Sequence, residues 1–114
     1  MHELSLCQDL LEQVDALVKQ HQAQTVKRIE LHVGVLSGVE ATLLSTAFAE
    51  LCPGSVAASA QLEMLCLPAQ VFCAACQLRN TVPANDLRCP VCRREDTRLV
   101  QGDELLLAQV ELLG

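Results

Sequence analysis

The sequence has few aromatic residues and few positive charges. Its 114 residues include two Phe and neither Trp nor Tyr, so it lacks the exposed rings on which many proteins stack single-stranded nucleic acid. Eight Lys and Arg residues are outnumbered by fourteen Asp and Glu residues, which gives a formal net charge of −6. Because an acidic chain repels phosphate backbones, we expect no nucleic-acid partner.

Long apolar runs are also missing. No stretch approaches the roughly 18 apolar residues of a membrane-spanning helix, and the opening residues 1–4 lack the cationic start of a secretory signal. We therefore expect a cytoplasmic protein without a membrane segment, in a compartment that keeps thiols reduced. Hydrophobic residues make up 51% of the chain, which is enough to form a core.

Hydrophobic periodicity predicts two amphipathic helices and three strands. The helices are expected over residues 6–21 and 39–51, and the strands over residues 26–35, 62–67 and 104–113. Ser37 and Glu40 have the spacing of a capping box before the second helix, whose apolar face is expected to include Leu43. His21 is expected at the end of the first helix, and His32 on the solvent face of the first strand.

Seven cysteines are far more than a chain of this length usually carries, and an odd number leaves one thiol outside any closed set of disulfides. Four of them form two Cys-x-x-Cys pairs with twelve residues between the pairs: Cys73 with Cys76, and Cys89 with Cys92. Two such pairs supply four thiolates for a tetrahedral Zn²⁺, and a shell closed in this way is structural rather than catalytic. The spacing therefore predicts a structural zinc site.

Two other chemistries use paired cysteines. A thiol redox pair is expected at a helix N-terminus after a strand, whereas both pairs here lie in loop-rich sequence, and four thiolates also bind iron, as in rubredoxin-like electron carriers. The three remaining cysteines, Cys7, Cys52 and Cys66, lie in apolar segments and are expected to be buried and structural.

The cysteine-rich segment differs in charge from the rest of the chain. Between Cys73 and Arg98, five arginines outnumber three acidic residues, which suggests an inserted module at residues 69–101 with a surface suited to an acidic partner. Residues 1–68 together with 102–114 would form the other domain. A zinc ribbon that binds nucleic acid or protein is the alternative function, favoured by these arginines and opposed by the acidic remainder.

The N-terminus offers a second kind of metal chemistry. From composition alone, residues 1–3 are expected to be a frayed end. Imidazole is nevertheless a good nickel ligand, and His2 lies beside the amine of Met1 and the carboxylate of Glu3.

The chain resembles the HypA/HybF family of nickel-incorporation accessory proteins for [NiFe]-hydrogenase maturation. The resemblance runs through the whole sequence in order, and it rests on the opening Met-His-Glu, the segment Gly34 to Glu40, the paired Cys-x-x-Cys motifs and Gly-Asp-Glu-Leu at residues 102–105. It implies a small α/β nickel-binding domain, a three-stranded sheet with two helices, into which a zinc-ribbon-like β module is inserted.

The resemblance also implies function. The protein would be a nickel metallochaperone and not an enzyme, with Ni²⁺ as cargo and Zn²⁺ as a structural cofactor. Nickel ligation matches His2 and Glu3, with the Met1 amine and Glu40 as further candidate ligands. The implied partners are a nickel-handling GTPase and the hydrogenase large subunit, some family members also serve urease, and a weak homodimer is compatible with this assignment.

Overall fold

The computed structural model describes residues 2–114, and within them it contains two helices and six strands. Their bounds are α1 His2–Gln20, β1 Thr25–Gly34, α2 Ala41–Leu51, β2 Gln61–Leu67, β3 Ala69–Cys73, β4 Leu78–Val82, β5 Arg98–Gln101 and β6 Leu105–Leu113. Both helices and all three strands expected from periodicity are present, and β3, β4 and β5 are three further short strands.

The first sheet has the strand order β2-β1-β6, with β2 parallel and β6 antiparallel to β1. Parallel neighbours need a crossover connection, and α2 supplies it between β1 and β2. Both helices contribute to the core on one face of this sheet, where Val14, Ile29, Leu31 and Leu44 are each at most 2% exposed. The expected α/β fold, with a three-stranded sheet and two helices, is confirmed.

The opposite face of the first sheet carries a charged cluster. The Arg28 guanidinium donates to carboxylates of Glu63 at 2.8 Å, Glu111 at 3.0 Å and Glu30 at 3.2 Å. His32 lies on the same face, as expected, with its Nε2 3.0 Å from Glu30 Oε2. Carboxylates from three strands thus surround one arginine, whose single positive charge compensates only part of their negative charge.

The second sheet has the order β4-β3-β5, with both pairs antiparallel. Its buried apolar cluster consists of Ala69, Val71 and Val82, with Leu36 and Leu99 packed against it. So small a cluster gives the cysteine-rich module little hydrophobic stabilisation of its own.

A close backbone contact joins the two sheets. The Leu36 amide, just after β1, donates to the Gly102 carbonyl oxygen at 2.6 Å, and the Gly34 amide donates to the Glu104 carbonyl oxygen at 2.8 Å. Gly102 has φ of +124°, and a Cβ there would lie 2.8 Å from Ala69 Cα. Glycine is required at position 102 on both grounds.

The capping-box prediction is wrong. The helix begins at Ala41 with Glu40 as its N-cap residue, and the Glu40 side chain makes no capping hydrogen bond. Gly38 has φ of +78°, a left-handed conformation that prevents an earlier helix start. The Ser37 hydroxyl oxygen instead accepts from the Val39 amide at 3.2 Å within the turn.

Two burial predictions are also wrong. Leu43 is 52% exposed, because α2 turns the adjacent Leu44 into the core at 0% exposure. Cys66 is exposed, although Cys7 and Cys52 are buried as expected. Two adjacent leucines leave the phase of a helix undetermined, and packing of α2 onto α1 and the sheet selects one of them.

Within residues 2–114, no helix is both long and apolar enough to cross a membrane.

Candidate metal centres

The four paired cysteines meet at one point in the second sheet. Cys73 ends β3, Cys76 lies in the turn before β4, and Cys89 and Cys92 lie in the loop between β4 and β5. Their four Sγ atoms all lie within 4.8 Å of one another. The two Cys-x-x-Cys pairs therefore form a single centre, as their spacing predicted.

The distances in this centre fit a tetrahedral metal. Four sulfurs at about 2.3 Å from a zinc ion lie about 3.8 Å apart. The Sγ atoms of Cys73 and Cys92 are 3.6 Å apart, and those of Cys76 and Cys89 are 3.9 Å apart. The donor set and the spacing suit a divalent metal such as zinc, and they leave no ligand position for water.

The local backbone explains how each pair directs two sulfurs inward. The residue after each second cysteine, Gln77 or Arg93, is left-handed, with φ of 56° and 65°. The Arg93 amide donates to the Cys89 carbonyl oxygen at 2.8 Å, which closes the second turn. Nothing in the sequence signals these two positions, because neither is a glycine, the residue that usually marks a left-handed conformation.

The thiols lie close together, and the pKa values of two of them are shifted in opposite directions when no metal is bound. Hydrogen bonds to the other thiols raise the pKa of Cys76 to about 12, and the bond to Cys92 has the largest effect. The backbone amide of Cys92 is the main cause that lowers the pKa of Cys89 to about 7. Without a metal, the thiolate form is thus favoured at Cys89 and disfavoured at Cys76.

Neither cysteine pair has the setting of a thiol redox site. Within residues 2–114, the helices are α1 and α2, and both lie outside the cysteine-rich module. A low-pKa redox thiol usually uses a helix N-terminus. The loop context of both pairs favours metal binding.

The second candidate centre lies in the first turn of α1. The His2 side chain is 63% exposed, and its Nδ1 is 4.0 Å from Glu3 Oε2. Residues 2 and 3 belong to α1. The terminal amine of Met1, proposed as a nickel ligand, lies outside the described residues.

Glu3 connects this first turn to α2. Its Oε2 accepts a hydrogen bond from the Glu40 backbone amide at 3.2 Å, and this bond is the main reason that the pKa of Glu3 is lowered. Glu3 therefore satisfies a free donor at the start of α2, a role that the capping-box spacing predicts for Ser37. Residues 2, 3 and 40 are brought to the same end of the two helices.

Side chains alone do not complete a metal site at this end. Among the described residues, the four cysteines are the one group of three or more His, Cys, Asp and Glu side chains with converging ligand atoms. His21 lies in the turn after α1, and His32 belongs to the charged cluster on the opposite sheet face. A site at His2 would therefore need backbone or terminal nitrogen ligands.

The sequence matches a family model over residues 1–112, and the description of that family is hydrogenase/urease nickel incorporation, metallochaperone, HypA. The chain belongs to the HypA family. The resemblance proposed from the sequence motifs is thus confirmed, together with the function of hydrogenase nickel incorporation that defines the family.

Relatives within the HypA family are similar over nearly their whole length. The chain is 38% identical to the hydrogenase maturation factor HypA of Shewanella oneidensis, over 98% of this chain and 95% of the relative. It is 41% identical to HypA of Nitrosospira multiformis, over 99% and 98% of the two chains, and 36% identical to the hydrogenase maturation factor HybF of Escherichia coli O157:H7, over 98% and 99%.

Solved structures show the same fold. The solution structure of the Ni metallochaperone HypA from Helicobacter pylori matches with a TM-score of 0.72 at 24% identity, over 98% of this chain and 97% of that one. A second solution structure, of a HypA protein, matches with a TM-score of 0.77 at 25% identity, over 99% and 97% of the two chains.

Proposed function

We propose that this protein binds Ni²⁺ at its N-terminus and transfers it to a partner during the maturation of [NiFe]-hydrogenase. The observation that carries the proposal is the position of His2, an exposed imidazole in the first turn of α1 beside a carboxylate tied to the start of α2. The HypA structure from Helicobacter pylori is described as a Ni metallochaperone, which supports the same cargo here.

The proposed ligands are the His2 imidazole, the Met1 amine and backbone nitrogen, with Glu3 contributing through its backbone. Imidazole and amine nitrogens suit the tetragonal coordination that Ni²⁺ favours. The Glu3 carboxylate already accepts a hydrogen bond from Glu40, so we assign it to holding the two helices together. The Glu40 carboxylate is exposed, but we assign Glu40 to the start of α2 rather than to the metal.

An exposed site with few fixed side-chain ligands suits a carrier. His2 remains accessible at 63% exposure, so a partner's ligands can approach the metal before the carrier's ligands leave. Such stepwise exchange avoids releasing free Ni²⁺. The protein would thus act by transfer and not by catalysis, with nickel as its cargo.

We assign Zn²⁺ as a structural metal to Cys73, Cys76, Cys89 and Cys92. The sulfur spacing and the small apolar cluster of the module support this assignment, because a metal can supply the folding free energy that so small a core lacks. We also propose that residues 69–101 form the zinc module and that residues 1–68 with 102–114 form the nickel-binding domain.

The proposed partners are a nickel-handling GTPase and the hydrogenase large subunit, in the cytoplasm. Membership of a hydrogenase maturation family supports partners of this kind. The acidic charge of the chain, −6 in total, opposes the alternative of nucleic-acid binding.

The N-terminal site can be tested by calorimetric titration of Ni²⁺ into zinc-loaded protein. We expect His2→Ala, and a form extended ahead of Met1 by residues other than His, to bind nickel at least about tenfold more weakly than the native chain. The extension converts the amine into an amide, which binds a metal only after losing a proton.

Glu3→Gln is the matched control for this titration. Its amide oxygen can still accept from the Glu40 amide, so we expect unchanged nickel affinity. A loss with Glu3→Gln would make the carboxylate a ligand, whereas equal affinity in the native, extended and His2→Ala forms would rule out the N-terminal site.

A further inference from the structure

The outer face of the second sheet carries a phenylalanine between two arginines. Phe72 lies in the central strand β3, and its register partners are Arg79 on β4 and Arg98 on β5. The neighbouring Val71 and Cys73 are buried, so Phe72 faces the other side of the sheet. The Arg98 guanidinium carbon lies over the Phe72 ring, 5.7 Å from its centre, which is a cation–π contact. We call Phe72, Arg79 and Arg98 the arginine face.

Both guanidinium groups of the arginine face are held by neighbours. The Nε of Arg79 donates to the Gln70 side-chain carbonyl oxygen at 3.2 Å, and the Gln70 amide nitrogen donates to the Thr81 hydroxyl oxygen at 3.3 Å. A guanidinium held through Nε still has two terminal nitrogens that can donate to a carboxylate. Arg98 is positioned by the Phe72 ring. The two cations are therefore oriented in advance, which reduces the entropy lost when a ligand binds.

The charge of the arginine face is not compensated within the chain. Arg88 and Arg94 each form an ion pair with an aspartate two residues away, at 2.9 Å and 3.0 Å. In the part of the chain that the structure describes, Arg79 and Arg98 are exposed and form no such pair. The chain has fourteen acidic and only eight basic residues, so two arginines without a carboxylate on one face are a local exception.

This chemistry suits a ligand with paired carboxylates. Arginine binds a carboxylate through two parallel N–H donors, and the ring between the two arginines adds apolar contact area. Strands lie about 4.8 Å apart, so the backbones that carry the two arginines are about 10 Å apart. We propose that the arginine face docks an acidic segment of a partner protein, with two carboxylates at about this separation. The surface uses neither His2 nor nickel and goes beyond the proposed nickel function.

Single-stranded nucleic acid is the other class of ligand that arginines beside an aromatic ring can bind. Base stacking needs an open ring face, whereas Arg98 already lies over the ring of Phe72. A nucleic-acid strand would also carry phosphates beyond the two arginines, onto a chain with a net charge of −6. A short acidic segment with two carboxylates matches the two cations, so the observations favour a protein ligand.

The docking proposal can be tested by nuclear magnetic resonance on the isotope-labelled, zinc-loaded full chain. The probe is a synthetic peptide with Glu at every third position and Leu and Ser between, since residues three apart in an extended chain are separated by about 10 Å. We expect it to shift the backbone amides of β3, β4 and β5. The double variant Arg79→Gln with Arg98→Gln should bind it at least about tenfold more weakly than the native chain, and salt should weaken binding to the native chain.

The matched control is the double variant Arg88→Gln with Arg94→Gln. It removes the same number of positive charges from the same module, but from arginines that aspartates already neutralise. It should bind the peptide like the native chain. A second control is the peptide with Gln in place of Glu, which should not bind. Thermal melting and zinc analysis check that both double variants are folded.

Four results would overturn the proposal: no amide shifts in the native chain, shifts confined to the first sheet, equal binding of the Gln peptide, or an equal loss in the two double variants. Tighter binding of a polyuridine oligonucleotide would make the surface a nucleic-acid site instead. Self-association of the native chain in sedimentation, abolished by Arg79→Gln with Arg98→Gln, would make a second copy the ligand. His2→Ala should bind the peptide like the native chain, so failure of the nickel site and failure of this surface are distinguishable.

Discussion

At the scale of single residues, the four cysteines are the most predictable feature of this chain. A Cys-x-x-Cys pair sets the separation of its two sulfurs through one turn of backbone, so spacing alone predicts a shared centre. Bringing the second pair to the first requires only the pairing of β3 with β4 and β5. The exposure of Cys66, by contrast, depends on what packs over β2 and was predicted wrongly.

Cys76→Ser should abolish zinc binding. A hydroxyl is a poor zinc ligand, and the loss of metal removes a stabilisation on the order of 10 kcal/mol in small zinc modules. We expect residues 69–101 to become disordered, while the helical circular dichroism signal persists because both helices lie outside the module. Metal analysis after dialysis and far-ultraviolet circular dichroism measure the two effects.

Cys66→Ser provides the control for this variant, since Cys66 is exposed and lies outside the cluster. It should retain one zinc per chain. Stoichiometric zinc in dialysed Cys76→Ser would show that the four-cysteine assignment is wrong.

At the scale of elements, the start of α2 is decided by a tertiary contact. Glu40 has the extended backbone of an N-cap residue but provides no side-chain cap. The Glu3 carboxylate, from α1, reaches the Glu40 amide instead. A local motif search cannot find a cap whose acceptor lies 37 residues earlier in the sequence.

Glu40→Ser should stabilise the protein by about 1 kcal/mol, because serine at the N-cap position can accept from a free amide in the first turn of α2. Chemical denaturation measures the gain. We expect nickel affinity to remain unchanged. A tenfold loss of nickel affinity would instead identify the Glu40 carboxylate as a nickel ligand.

The charged face of the first sheet should make the protein sensitive to acid. A hydrogen bond from His32, followed by one from Arg28, holds the pKa of Glu30 below its ordinary value of 4.5. A lowered pKa in the folded state means that the unfolded chain binds more protons in this range. The contribution of Glu30 to stability is therefore fully present above about pH 4.5, and it is lost as the pH falls through the folded-state pKa of Glu30.

Denaturation series between pH 3 and pH 6, as approximate limits around the carboxyl range, should show this loss. Glu30→Gln should have a shallower pH dependence than the native chain. An identical slope in both proteins would mean that the Arg28 cluster does not contribute to the acid response.

At the scale of the whole molecule, the two sheets are joined where residues 34–36 meet residues 102–104. Leu36 leaves the first sheet and packs against the small apolar cluster of the second. The same loop continues to Glu40 and its bond with Glu3. The region around His2 and the cysteine-rich module are thus connected through one short segment.

Gly102→Ala should destabilise the protein by about 1–3 kcal/mol, since alanine there needs a strained φ of +124° and its Cβ would lie 2.8 Å from Ala69 Cα. Gly54→Ala is the control, because Gly54 has φ of +82° but nothing within 4 Å of the added Cβ. Thermal denaturation should show a larger loss for Gly102→Ala. Equal losses would mean that contact between the added Cβ and Ala69 does not contribute to the destabilisation.

Much of the fold followed from local pattern. Hydrophobic alternation predicted β1, and the three- and four-residue periodicity predicted α1. Both predictions lie within a few residues of the bounds in the structure. The resemblance implied a β module in residues 69–101, but the bounds of β3, β4 and β5 were not predicted, because strands of four or five residues are too short for a clear pattern.

The sequence by itself supplied both proposed metal sites, since the cysteine spacing and the opening Met-His-Glu place candidate ligand atoms close together along the chain. The tertiary structure alone decided that Glu3 caps α2, that Leu43 is exposed beside a buried Leu44, and that Gly102 lies against Ala69. Each of these depends on the relative placement of segments far apart in the chain. Packing sets that placement, and no local pattern of residues records it.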